Sequence, residues 1–100
     1  KGFVRRSMPL ALLVLMAACG SGPPVQEMSD ARQAIAVARQ AGAEELAADQ
    51  LRSAEELLQS AQRNLQERAY GQARRDALQA KLKALDALAI SENPTRNQLR

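Results

Sequence analysis

In "LQERAYGQARRDALQAKLKALDALA", Leu65 to Ala89, alanine returns every three or four residues and a row of leucines runs beside it. Turning each residue by 100° puts Ala73, Ala77, Ala80, Ala84 and Ala87 on one narrow stripe. Leu78, Leu82, Leu85 and Leu88 occupy the neighbouring arc. Small alanines let another backbone approach closely, and the two rows together cover more than one partner helix requires. This helix is therefore expected to lie between two others, or to offer its leucine row to a second protomer. Just upstream, Ala47, Leu51, Ala54, Leu58, Ala61 and Leu65 form another stripe, widened by Leu46 and Leu57. Across Gly71 the stripe jumps by roughly a quarter turn or more, whereas an unbroken helix keeps it in phase. The spacing predicts a tight turn near Ala69 to Gly71 and an antiparallel hairpin. The rival is a single helix from Asp49 to Ser91, about 65 Å long at ~1.5 Å per residue.

Farther out, Met28, Ala31, Ala34, Ile35, Ala38, Ala41 and Gly42 share the face of an earlier helix. Gly42 is a candidate for its C-cap and Asp49 for the N-cap of the next helix. Between Gln26 and Asn93 there is no proline to interrupt a helix, and "NPTRNQLR" beyond carries no apolar period. Alanine and straight-chain residues dominate, Phe3 and Tyr70 are the whole aromatic set, and β-branched residues are few after Val25. Such a composition favours helix over sheet.

The reading is all-α: an antiparallel helical hairpin with an additional N-terminal helix, a small three-helix bundle over residues 26–92. Its helices are expected at about 26–41, 49–68 and 71–91, followed by a disordered tail, 93–100. Glu27 to Glu67 holds eight acidic and four basic residues, and Arg68 to Arg100 three acidic and seven basic. Antiparallel packing of those segments is electrostatically favourable, although exposed pairs each contribute only about 0 to 1 kcal/mol. The apolar seam must do most of the holding, and a core of this size is thin.

The net charge of +3 is not a property of the bundle. Lys1, Arg5 and Arg6 are three of the fourteen Lys/Arg; the other eleven face eleven Asp/Glu from Cys19 onward. With no basic patch interleaved with aromatics, nucleic acid is not an expected partner. Those three cations precede nine consecutive apolar residues, Leu10 to Ala18, then Cys19 and "GSGPP". Nine helical residues reach about 14 Å against a ~30 Å hydrocarbon core. This is the layout of a secretory signal rather than of a membrane span.

"LMAAC", Leu15 to Cys19, resembles the bacterial lipoprotein signal, the lipobox, with Met16 where leucine is usual. The resemblance implies that residues 1–18 are a signal peptide and that Cys19 receives a diacylglyceryl group and then an acylated amino terminus. Residues 19–25 would form a lipidated, flexible tether. Two lipid signals already anchor a protein stably, so three chains hold it almost permanently. Ser21, where aspartate marks inner-membrane retention in many Gram-negative bacteria, implies the periplasmic face of the outer membrane.

The segment from Met28 to Ala89 resembles a helical bacterial lipoprotein family known as domain of unknown function 4398. The likeness rests on the alanine-rich first helix, the Ala41-Gly42-Ala43 link, Leu46-Ala47, the Leu51/Ala54 step and the Tyr70/Ala73 step. Family members often carry proline after Leu-Ala, where this chain has Ala48. The resemblance implies an envelope lipoprotein whose relatives are sometimes joined to a peptidoglycan-binding domain.

The chain contains no histidine, and Cys19 is its one cysteine. An imidazole base, a Cys/His metal cluster and a Ser–His pair are thus excluded, and no glycine-rich phosphate loop is present. Glu44/Glu45 and Glu55/Glu56 are adjacent, so on a helix they point about 100° apart and do not form an acid/base pair. The expectation is a non-enzymatic protein with no cofactor and no metal. It would be anchored to the membrane through Cys19 and work by contact with an envelope protein, with itself or with peptidoglycan. Tyr70, Arg74, Leu78, Leu82 and Leu85 are the candidate interaction surface. Two of these have alternative readings: Tyr70 could fill the end of the bundle, and Arg74 could lay its stem over the apolar stripes.

Overall fold

A computed structural model describes residues 22–93. The readings made for Cys19 and the rest of 1–21, and for 94–100, lie outside the described residues. Four helices follow one another among the described residues: α1 (Val25–Gln40), α2 (Ala43–Leu46), α3 (Ala48–Gln66) and α4 (Tyr70–Glu92). No strand occurs among the described residues. The expected small helical bundle is what forms, with one addition, the single turn α2 in the link between α1 and α3.

The direction of each helix follows from what it buries. Ile35 and Ala38 of α1 join Leu51 and Ala54 of α3 and Ala84 and Ala87 of α4 in one apolar cluster. Met28, near the start of α1, instead meets Ala61, late in α3, and Ala77, early in α4. Hence α3 runs antiparallel to both α1 and α4, and the single-helix rival is excluded. The α4 stripe, Ala73, Ala77, Ala80, Ala84 and Ala87, is completely sealed from solvent. Steps of four and three average 3.5 residues, the period that keeps a seam facing its neighbours in a left-handed supercoil. Both α1 and α3 pack mainly on α4, and they meet each other much less. The expected sandwich therefore holds, but both neighbours use the alanine side of α4.

None of the four helices has a side-chain hydrogen bond at its N-cap. Short helices without caps are marginal alone, so packing holds them here. Asp49 is not the N-cap of α3: that position is Ala47, and Asp49 sits in the first turn. The reason is burial: seating Ala47 in the apolar cluster at the corner starts α3 there and leaves Asp49 past the cap position. Asp49 still complements the N-terminal dipole and lies 3.8 Å from Arg52. Gly42 does close α1 as expected, with φ of 91° and its N–H donating to the Arg39 carbonyl at 3.0 Å. Leu46, expected to widen the α3 stripe, is 45% exposed because α2 turns it outward.

The hairpin turn falls three residues earlier than the glycine suggests. Arg68, not Gly71, takes the left-handed conformation, with φ of 64°. The Ala69 N–H donates to the Asn64 carbonyl at 2.8 Å and the Arg68 N–H to the Leu65 carbonyl at 3.0 Å. This pair of bonds is the Schellman closure, with arginine at the position where glycine is common. Gly71 is exposed within the first turn of α4.

Candidate interaction surface

Viewed down its axis, α4 has two unlike faces. The alanine face is sealed, while Leu78, Leu82 and Leu85 are 49%, 51% and 42% exposed. Leu88, fourth in the row, is partly buried against the larger cluster. The first helix therefore leaves most of the leucine row uncovered. Across the α1–α4 seam Val37 is also exposed, and it lines a shallow groove of about 330 Å³ with Leu85, Leu88, Lys81 and Asp30. Scattered surface leucines are ordinary, but three on successive turns of one helix make a continuous apolar stripe.

Arg74 and Tyr70 do not belong to that stripe. The Arg74 guanidinium, expected on the interaction surface, is engaged within the chain. Its Nε donates to Glu27 Oε2 at 3.1 Å and its Nη2 to the Gly22 carbonyl at 2.6 Å. It fastens the start of α1 to the start of α4. Tyr70, the first residue of α4, is half-buried beside the turn, some 12 Å along the helix from Leu78 at ~1.5 Å per residue. The five candidates thus divide into three leucines on one surface, one internal strut and one ring at the bundle end.

A polar cluster that the sequence analysis passed over sits beside Arg74. Asp76 is buried in α4 and accepts three hydrogen bonds. Ser60 Oγ donates at 2.6 Å and Asn64 Nδ2 at 2.8 Å, both to Oδ2, and Gln72 Nε2 donates at 2.8 Å to Oδ1. Burial pushes the carboxyl pKa up, but the bonds from Ser60, Gln72 and Asn64, with the charge of Arg75, outweigh it and leave Asp76 below its ordinary value. A carboxyl shifted in that direction is a poor proton donor at neutral pH, and what these bonds supply is a pin across the hairpin. A sequence signal was present: Ser60/Asn64 and Gln72/Asp76 are two i, i+4 polar pairs, and Asp76 lies at the edge of the alanine arc.

Between α1 and α3 lies a second groove, of about 450 Å³. Ile35 and Leu58 form its apolar part, and Arg32, Arg39, Glu55, Gln59 and Gln62 its polar part. Arg39 is paired with Glu55 and reaches Glu44 at 3.6 Å, while Arg32 makes no ion pair among the described residues. No three His, Cys, Asp or Glu side chains converge as metal ligands among the described residues, and no described helix is long and apolar enough to cross a membrane.

Neither a curated protein nor a solved structure matches this chain. A family model does match, over residues 26–95, a stretch that takes in nearly all of the alanine-sealed bundle and its leucine row. The chain belongs to the family described as Domain of unknown function (DUF4398).

Proposed function

We propose that this protein is a lipid-anchored, non-catalytic helical module of the bacterial envelope. Cys19 carries the lipid at the periplasmic face of the outer membrane, and the bundle presents a helical surface to an envelope protein or to a second copy. The observation that carries the contact role is the half-exposed row Leu78, Leu82 and Leu85 on a helix whose opposite face is sealed. The lipobox-like "LMAAC" supports the anchor, and the lack of histidine supports a role without catalysis. Labelled palmitate enters the wild type and not Cys19→Ala; equal labelling of both would end the anchoring reading. A photo-crosslinker at Gln79, beside the row, gives a discrete adduct in intact cells that Leu82→Glu abolishes. An adduct indifferent to Leu82→Glu would remove the leucine row from the contact.

A second reading, non-covalent binding of peptidoglycan, is favoured by one observation, the α1–α3 groove. Arg32, without an ion pair among the described residues, lies beside the Gln59 and Gln62 amides and suits a saccharide that bears a carboxylate. Retention of the protein on purified sacculi, lost in Arg32→Ala, supports this reading, and wild-type passage without retention rejects it.

A further inference from the structure

We propose that the hairpin end of the bundle faces the membrane and that Arg63, Arg68 and Arg75 meet anionic phospholipid headgroups there. This rests on the lipidated Cys19 proposed above. Two independent observations carry it.

The first is the strut. Arg74 Nη2 donates to the Gly22 carbonyl at 2.6 Å and Nε to Glu27 at 3.1 Å, so the chain enters α1 beside the first turns of α4. Cys19 is three residues upstream of Gly22, and three residues span at most about 10 Å. A lipid on Cys19 therefore keeps Gly22, and with it the Arg74 level of α4, within about that distance of the headgroups, whatever path the tether takes. The opposite end is a helix length away, about 28 Å for the nineteen residues of α3 at ~1.5 Å each.

The second is charge. Arg63, Arg68 and Arg75 lie within two turns of the apex, are exposed, and make no ion pair among the described residues. Glu67 is the acidic residue exposed among them. At the far end Glu44, Glu45 and Asp49 are exposed, and the arginines there, Arg39 and Arg52, are already paired with acids. With Arg63, Arg68, Arg74 and Arg75 set against Glu27, Glu67 and the buried Asp76, the hairpin end keeps a net charge of +1. Glu44, Glu45 and Asp49 outnumber Arg39 and Arg52 at the far end, and this is the polarity an anionic surface orients end-on. In that pose the leucine row begins some 12 Å above the apex and runs to about 22 Å, clear of the headgroups and open to a partner.

The test uses the full lipidated protein in vesicles of phosphatidylcholine with or without phosphatidylglycerol. Acylation of Cys19 leaves a single introduced thiol for a fluorophore, Glu67→Cys at the apex or Glu45→Cys at the far end. With phosphatidylglycerol, a headgroup-bound quencher reduces the apex signal several-fold more than the far-end signal. In a variant carrying Arg63→Gln, Arg68→Gln and Arg75→Gln, with helicity unchanged by circular dichroism, the enhancement by phosphatidylglycerol disappears. Protein that fails to float with the vesicles overturns the anchor itself. Protein that floats but is quenched equally at both labels overturns the orientation alone, and quenching indifferent to phosphatidylglycerol overturns the headgroup contact.

Discussion

At the end where α1 passes through α2 into α3, Ala34, Ile35, Ala38, Ala43, Ala47, Leu51, Ala54, Ala84 and Ala87 form one apolar cluster. At the hairpin end the buried cluster among the described residues is the smaller one of Met28, Ala61 and Ala77, and a carboxylate sits beside them. There Asp76 is held by Ser60, Asn64 and Gln72, and Arg74 by Glu27 and Gly22. The difference separates two tasks. Apolar burial is nondirectional and supplies attraction, but alanine stripes are so uniform that neighbouring registers bury similar surface. Hydrogen bonds to a buried carboxylate are directional, and a shifted register would leave that charge without donors. The apolar end holds the helices together; the polar end sets how they align.

That division is easiest to break at the apolar end. Ala84→Leu forces three extra heavy atoms into a site with no exposed surface, and it should cost about 3 kcal/mol, read by urea denaturation. A cost below about 1 kcal/mol would mean that the helices separate readily there. Asp76→Ala removes three bonds to a charged acceptor and should cost about 2 kcal/mol, less than the three taken singly because the donors regain water. Its pH dependence sharpens the point. The folded pKa of Asp76 lies below 3.8, so its stabilising contribution is present above that value and is lost as pH falls through the lower, folded one. The difference between wild type and Asp76→Ala should therefore narrow in acid, and a difference that is flat through this range would refute the charge-based pin.

Two smaller effects probe the hairpin end. A Cβ at Gly71 would meet nothing closer than Arg75 Nη1 at 3.7 Å, and the residue is helical. Gly71→Ala should raise stability by about 0.5 to 1 kcal/mol in thermal melts, whereas a loss would restore glycine to the turn itself. Arg74→Gln gives up a part-exposed ion pair and should cost only about 0.5 kcal/mol overall. Its larger signature is local, faster amide exchange at the start of α1, and unchanged exchange there would deny the strut.

The alanine and leucine rows of α4, the apolar face of α1 and the close of α1 at Gly42 were legible because each depends on local periodicity or on one residue's backbone freedom. The hairpin was legible from its phase jump, but its turning residue was not. Nothing in an arginine announces φ of 64°, which belongs to the closing bonds from Arg68 and Ala69 back to Leu65 and Asn64. Asp49 likewise carries an N-cap signal that burial at Ala47 overrode. The candidate surface was half legible: Leu78, Leu82 and Leu85 are exposed as one row, but Arg74 had an internal partner fifty-two residues away.

By itself, the sequence determined that the chain is helical, where its apolar stripes run and roughly where it breaks, since these follow from residue spacing along a helix of known pitch. Tertiary structure alone decided which stripe is sealed and which is left to solvent. It also decided that Asp76 is a pin rather than a surface charge and that Arg74 fastens the start of α1. The physical reason is that burial and hydrogen bonding depend on what a second helix brings within 3 Å, and spacing within one helix cannot specify its neighbour.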